Sequence, residues 1–233
     1  MMRKACLGLV LAGLCAAPAL ARESPVVVEL FTSQGCSSCP PADAFLTDLA
    51  HQAKDVLPLA FHVTYWDSLG WKDPYSLDAA TARQRHYARA LGQDGVYTPE
   101  MVVDGVTGFV GSHRAEGLEA IARAEREHPA SVPIGVSRDG QSLVVSAGTG
   151  SGKARLLLVG FDPAHETHIG RGENRDRTLL ESNIVRSLSA IGVWTGEAIT
   201  LRVPPPAGES FAVLLQAEDG RIIGAARLES PAS

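Results

Sequence analysis

The stretch "VVVELFTSQGCSSCPPAD", Val26 to Asp43, passes from a β-branched apolar run into two cysteines three apart and then into a proline pair. The run Val26 to Phe31 is nearly continuous in apolar residues, which predicts a strand buried on both faces. Ala42 to His51 follows with Phe45, Leu46 and Leu49 on one side, the spacing of an amphipathic helix. Cys36 and Cys39 therefore fall where a buried strand turns into a helix.

Three chemistries compete for such a pair. A structural zinc site needs four ligands, and the histidines are scattered: His62, His86 and His113 in the first half, His165 and His168 in the second. A structural clip across so short a loop gains little from chain entropy. Redox exchange fits the position, because unpaired N–H groups and the helix dipole at a helix start favour a thiolate. In that reading Cys36 is the exposed attacker and Cys39 the resolving thiol. The proline pair Pro40-Pro41 works against a strong dipole effect, since the residue before a proline is biased away from helical geometry.

Outward from this stretch, the chain reads as two halves. Val56 to Trp66 predicts a second strand, and Ser76 to Leu91 a helix capped by Ser76 or Asp78. Glu100 to Gly105 and Val106 to Val110 predict a hairpin turning at Asp104-Gly105. Ser112 then caps a helix over Arg114 to Glu127, with Leu118, Ile121 and Ala122 facing inward. Alternating strands and helices predict an α/β unit over residues 22–130. After Pro129 short apolar runs alternate with turns: "LVVSA", "ARLLLVGF", "AITLRV", "FAVLLQA" and "RIIGAARL". They predict a mostly antiparallel β-sandwich over residues 131–233.

The first 21 residues have the layout of a secretory leader: Arg3-Lys4, the apolar run Leu7 to Leu14, and Ala19-Leu20-Ala21 as the cleavage pattern. That predicts export to the periplasm or beyond, with no stable membrane insertion afterwards. Removing 21 of 233 residues leaves 212, and Cys6 and Cys15 leave with the leader, so Cys36 and Cys39 remain as the pair. Loss of Arg3 and Lys4 takes the 21 basic residues to 19 against 26 acidic ones, a formal charge of −7. Such a balance, without basic clusters, speaks against nucleic acid or an anionic membrane as a partner.

"VVVELFTSQGCSSCP" resembles the strand–Cys-x-x-Cys–helix segment of thioredoxin-like oxidoreductases, and "VYTPEMVVDG" resembles the cis-proline segment of that fold. The resemblance implies a cis Thr98–Pro99 bond beside the disulfide and a substrate-binding role for Thr98 and Pro99. "ELFTSQGCSSCPPAD", "YWDSLGWKDP", "VYTPEMVVDG" and "GENRDRTL" are together similar to a family of secreted, thioredoxin-like bacterial proteins of unknown function. Ser37-Ser38 stands where thioredoxins carry Gly-Pro, and Gly35 where they carry an aromatic residue. Thioredoxins also place a buried acid on the strand before the pair, and Glu29 is the nearest match here. A buried carboxyl at that place has a raised pKa and can act as general base; an outward-turned Glu29 would not.

Tyr65 and Trp66, with Asp67 and Trp71, sit in or beside a loop and can either wall the disulfide for a peptide or cover the core. "GFDPAHETHIGRGENRDRTL" reads as a solvated loop in preference to a metal site at His165 and His168. Arg171, Glu173, Arg175 and Asp176 are also placed to pair with the first half. The expectation is thiol–disulfide exchange on protein clients, with an unidentified redox partner and no cofactor. The rivals are a copper-binding protein using the same two thiolates and a non-catalytic interaction module.

Overall fold

The computed structural model describes residues 24–53, 55–127 and 131–228. The expected leader, residues 1–21 with Cys6 and Cys15, lies outside the described residues, as does Ala130 at the expected boundary. Among the described residues no helix is long and apolar enough to cross a membrane.

The first half holds strands β1 (Val26–Thr32), β2 (Val56–His62), β3 (Glu100–Val103) and β4 (Thr107–Val110) with helices α1 (Pro40–Gln52), α2 (Asp78–Ala90) and α3 (Arg114–Glu127). Every residue of β1 and of β2 is buried, as a nearly unbroken apolar run requires of strands covered on both faces. Period-2 alternation assigns the faces. Val27, Phe31, Leu57, Leu59 and Phe61 join one core with Ala80 and Tyr87 of α2. Val28, Leu30 and Ala60 join the opposite core with Ala42, Phe45 and Leu46 of α1 and Ile121 of α3. Asp104 and Gly105, with φ of 47° and 70°, make the hairpin turn between β3 and β4.

Some local expectations are corrected. Leu77, with no side-chain hydrogen bond, caps α2, because Ser76 Oγ donates instead to Asp67 at 2.7 Å. Leu118 of α3 is 48% exposed, and Gly117 and Ala120 take the inward positions beside Phe45 and Phe109. The strand read as reaching Trp66 ends at His62, and Thr64–Trp66 form a single 3₁₀ turn.

The second half holds β5 (Ile134–Asp139), β6 (Ser142–Ala147), β7 (Ala154–His168), β8 (Thr178–Trp194), β9 (Ile199–Val203), β10 (Ser210–Ala217) and β11 (Ile222–Arg227). Antiparallel strands form after residue 130, but four of them extend the sheet of the first half. The large sheet runs β11-β10-β7-β8-β2-β1-β3-β4, and β5-β6-β9 form a second, three-stranded sheet. The small sheet packs on one face of β7 and β10, where Leu156, Leu158, Val213 and Leu215 join one core with Leu143 and Val145 of β6, and Trp194 at the end of β8 lies in the same core. The opposite face of the same strands, with Leu157, Val159, Ala212 and Leu214, continues the α2-side core.

The junction of the halves is β8 against β2, through Ala60 opposite Ile184, reinforced by Asn183 Nδ2 donating to the Pro58 carbonyl at 2.8 Å. The polar stretch after Phe161 is strand as far as His168, not loop. It pairs with Thr178 to Ile184, and beyond the buried Asp162 its residues are exposed or half-buried and carry no apolar alternation. Only residues 169–177 form the connection.

Candidate functional site

Cys36 and Cys39 form a disulfide with 5.4 Å between their Cα atoms, at the mouth of α1. Cys39 is the N-cap and Pro40 and Pro41 open the helix. The prolines have no N–H, and the next two donors, Ala42 N and Asp43 N, are both spent on the Cys39 carbonyl at 2.8 and 3.1 Å. Few free donors of this helix start therefore remain for a thiolate. The exposed attacker expected at Cys36 is not what the structure displays: both cysteines are 0% exposed, while Ser37 and Ser38 between them face water.

The second half fastens the backbone of this turn. Asn174 Nδ2 donates to Gln34 O at 2.9 Å and to Cys36 O at 2.8 Å, and Glu173 Oε2 accepts the Ser37 N–H at 3.1 Å. The bonds from Ser37 hold the exposed Glu173 carboxyl below its usual range. Arg171, Arg175 and Asp176 take no part in this docking; Arg175 and Asp176 pair with each other. His165 bonds Asp162 at 2.8 Å and stacks on Tyr75, and His168 lies against Thr178.

Trp66 links the disulfide turn to the proline segment. Its Cβ lies 3.4 Å from where a Cβ on Gly35 would stand, and its indole N–H donates to Thr98 Oγ1 at 2.8 Å. The Thr98–Pro99 bond is cis, and Pro99 is buried. Tyr65 donates to Gln84 at 3.1 Å, and burial pushes its phenol up to about 12. Tyr65 and Trp66 both pack on the α2-side core, so they cover the core as well as flanking the turn.

Glu29 is buried but placed away from this site. It lies in β1 between Val27 and Phe31 of the α2-side core, whereas α1 packs on the face of Val28 and Leu30. Both of its oxygens are held by Arg83, and the Tyr87 hydroxyl donates to it at 2.7 Å. A carboxylate bound so fully to a guanidinium has no free lone pair aimed at the sulfurs.

The acids on the disulfide side are others. Asp43 follows Cys39 by one helical turn on the buried face of α1 and accepts from Thr32 Oγ1 at 2.7 Å. Burial, then the Glu181 charge, raises its pKa well above the carboxylate range. Burial likewise raises Glu181, of β8. His62 Nδ1 contacts Asp73 at 2.7 Å, and its Nε2 lies 3.7 Å from Glu181 Oε1; neither of these last two atoms has a hydrogen-bond partner among the described residues. Burial alone would lower His62, but Asp73 and Glu181 outweigh it and raise it to about 9. Gln34 ties the cluster to the disulfide turn. Its backbone N–H donates to Asp73 at 2.8 Å, its amide to Glu181 at 2.6 Å, and its Oε1 accepts from Trp71 at 3.1 Å.

Sequence reasoning missed Asp43, His62, Asp73 and Glu181. Asp43 did leave a signal, a charged residue on the apolar stripe of α1. The others left only their membership in, or closeness to, the polar segments that converge here.

The family described as "Protein of unknown function (DUF1223)" matches residues 27–216, and the chain belongs to that family. Protein AGR_C_4864 of Agrobacterium tumefaciens, known from a crystal structure, is 32% identical, with 91% of this chain and 97% of that one covered and a TM-score of 0.79. HBP35 of Porphyromonas gingivalis shares the fold at 13% identity and a TM-score of 0.60, covering 91% of this chain and 78% of its own. No curated protein matches the chain.

Proposed function

We propose that this member of a family of unknown function is an exported thioredoxin-like protein that exchanges disulfides with protein thiols through Cys36 and Cys39. The observation that carries the reading is the disulfide at the head of α1, with Trp66 joining its turn to Thr98, Asp43 of raised pKa one helical turn along, and Glu181 bonded to Gln34 of the same turn. A purely structural bond has no use for a buried acid of raised pKa one turn along the same helix, whereas a thiolate leaving group needs a nearby proton.

In the oxidising direction a client thiolate attacks Cys36 Sγ, the bond to Cys39 breaks, and Cys39 leaves as a thiolate. A second client thiolate then attacks the mixed disulfide and releases Cys36. The client has lost two electrons, and Cys36 and Cys39 hold two thiol protons derived from it. In this reading Asp43, one turn from Cys39, hands over and recovers the proton at that sulfur, with Glu181 and His62 shifting its pKa in opposite directions. Reduction of a client is the same path reversed.

The test is equilibration with glutathione buffers, together with Cys39→Ser to trap adducts. A two-electron couple between about −270 and −120 mV, the range of known exchange proteins, and reducible client adducts support the reading. A couple below about −300 mV without adducts sinks it. Complete enclosure of both sulfurs favours the second reading, an interaction module with a structural bond, and that same result would select it. Export predicts a secreted form starting near Arg22, which mass spectrometry of the exported chain checks.

A further inference from the structure

The connection at residues 169–177 is closed on itself and only lightly fastened to the disulfide turn. Its base is shut by Ile169 N–H to Arg177 O at 2.9 Å and Asp176 N–H to Ile169 O at 2.8 Å, with Ile169 fully buried. Its tip is exposed except for Asn174, which is 0% exposed and spends both amide hydrogens on Gln34 O and Cys36 O. Glu173 adds the Ser37 N–H. Beside them Gly172 lies against Trp71: a Cβ on Gly172 would stand 3.1 Å from Trp71 Cβ, and one on Gly70 would stand 3.5 Å from Gly172 Cα. The tip thus rests on three hydrogen bonds and a glycine contact, with little apolar burial. Such segments open at far lower cost than the whole fold.

We propose that Glu173 and Asn174 are a latch that decides what reaches the Cys36–Cys39 bond. The bonds they make are those a peptide backbone can replace: a carbonyl for Glu173 on the Ser37 N–H, and an N–H for Asn174 on the Cys36 carbonyl. The site therefore selects an extended polypeptide segment that takes over both contacts, and it excludes small thiols, which offer nothing in exchange for displacing the tip. The choice of a polypeptide rests on the exchange reading above; the latch itself does not.

The experiment uses the full chain and tris(2-carboxyethyl)phosphine, which breaks the S–S bond, takes its oxygen from water to become the phosphine oxide, and leaves two thiols. Reduction is followed in folded protein and in urea-unfolded protein. The folded chain should react at least about tenfold more slowly, the ratio that loss of a few net hydrogen bonds reverses. Asn174→Ala, which removes both bonds to the disulfide turn along with the Arg177 bond inside the connection, should accelerate reduction of the folded chain about tenfold, and Glu173→Ala about threefold, with circular dichroism unchanged. Should Asn174→Ala fail to fold, the wild-type ratio and Glu173→Ala decide. A wild-type chain reduced as fast folded as unfolded, or folded variants no faster than wild type, overturns the latch. An unstructured single-cysteine peptide should outpace 2-mercaptoethanol, which has no amide to offer, on wild type, and Asn174→Ala should narrow that preference; an unchanged preference overturns the selection. The phosphine ordering holding while neither thiol reacts would keep the latch and end the exchange reading.

Discussion

The side-chain amide of Gln34 donates to the Glu181 carboxylate at 2.6 Å, across 147 positions of sequence. Gln34 stands two residues before Cys36, and Glu181 is on the long strand β8 of the second half. The disulfide turn is therefore fastened both by β8 and by Asn174, so that the second half supplies part of the site.

If the pair exchanges, the two cysteines are not equivalent. Cys39→Ser should accumulate mixed disulfides through Cys36, because a serine hydroxyl cannot release a bound client, while Cys36→Ser should accumulate few. Non-reducing gels of the two variants give the answer, and equal yields would reverse or remove the assigned roles.

Asp43→Asn should slow exchange at Cys39 by at least about tenfold, the low side of what a positioned proton donor contributes. The rate–pH profile should also lose its dependence on the raised acid. Glu29→Gln should leave that profile unchanged, since Glu29 is held by Arg83 in the other core. A larger effect at Glu29 than at Asp43 would restore the acid expected from sequence.

The buried His62 makes folding pH-dependent. Its folded pKa of about 9 stands above the ordinary 6.5, so its contribution is fully present below about 6.5 and is lost as pH rises through 9. Asp43, raised from 3.8 to about 8, acts with the same sign between those two values and so overlaps only the lower part of that range. Urea denaturation should show a loss of about 3 kcal/mol from His62 between about pH 6 and 9.5, since each pH unit separating the folded and unfolded pKa is worth about 1.4 kcal/mol. His62→Gln should flatten that slope; an unchanged slope would show that the imidazole is not charged in the fold.

Gly105 welds the two halves at the far side. Its φ is 70°, and a Cβ there would stand 2.0 Å from the Gly220 carbonyl oxygen in the turn between β10 and β11. Ile222 N–H also donates to Asp104 O at 2.8 Å. Gly105→Ala should cost roughly 2–4 kcal/mol, combining left-handed strain with backbone displacement. Thermal unfolding checks it, and a change under about 0.5 kcal/mol would mean that this contact is not maintained in solution.

Features with local causes were legible in the sequence. The apolar run of β1 predicts a strand buried on both faces, the 3.6-residue stripe of Phe45, Leu46 and Leu49 predicts α1, and Asp104-Gly105 predicts the hairpin turn. The position of Cys36 and Cys39 between strand and helix follows from the same signals. Which polar groups meet them depended on the assembled fold. Glu29 differs from Leu30 by one step in β1, and that step puts it across the sheet from α1, where Arg83 takes it. Glu181 and Asn174 reach the disulfide turn because β8 joins β2 in one sheet, a pairing of strands more than a hundred residues apart. Periodicity reports whether a residue is buried, not which layer covers it. A buried charge takes its pKa and its role from that layer, so the acid bonded to the disulfide turn from β8 and the connection fastened to that turn were fixed by topology.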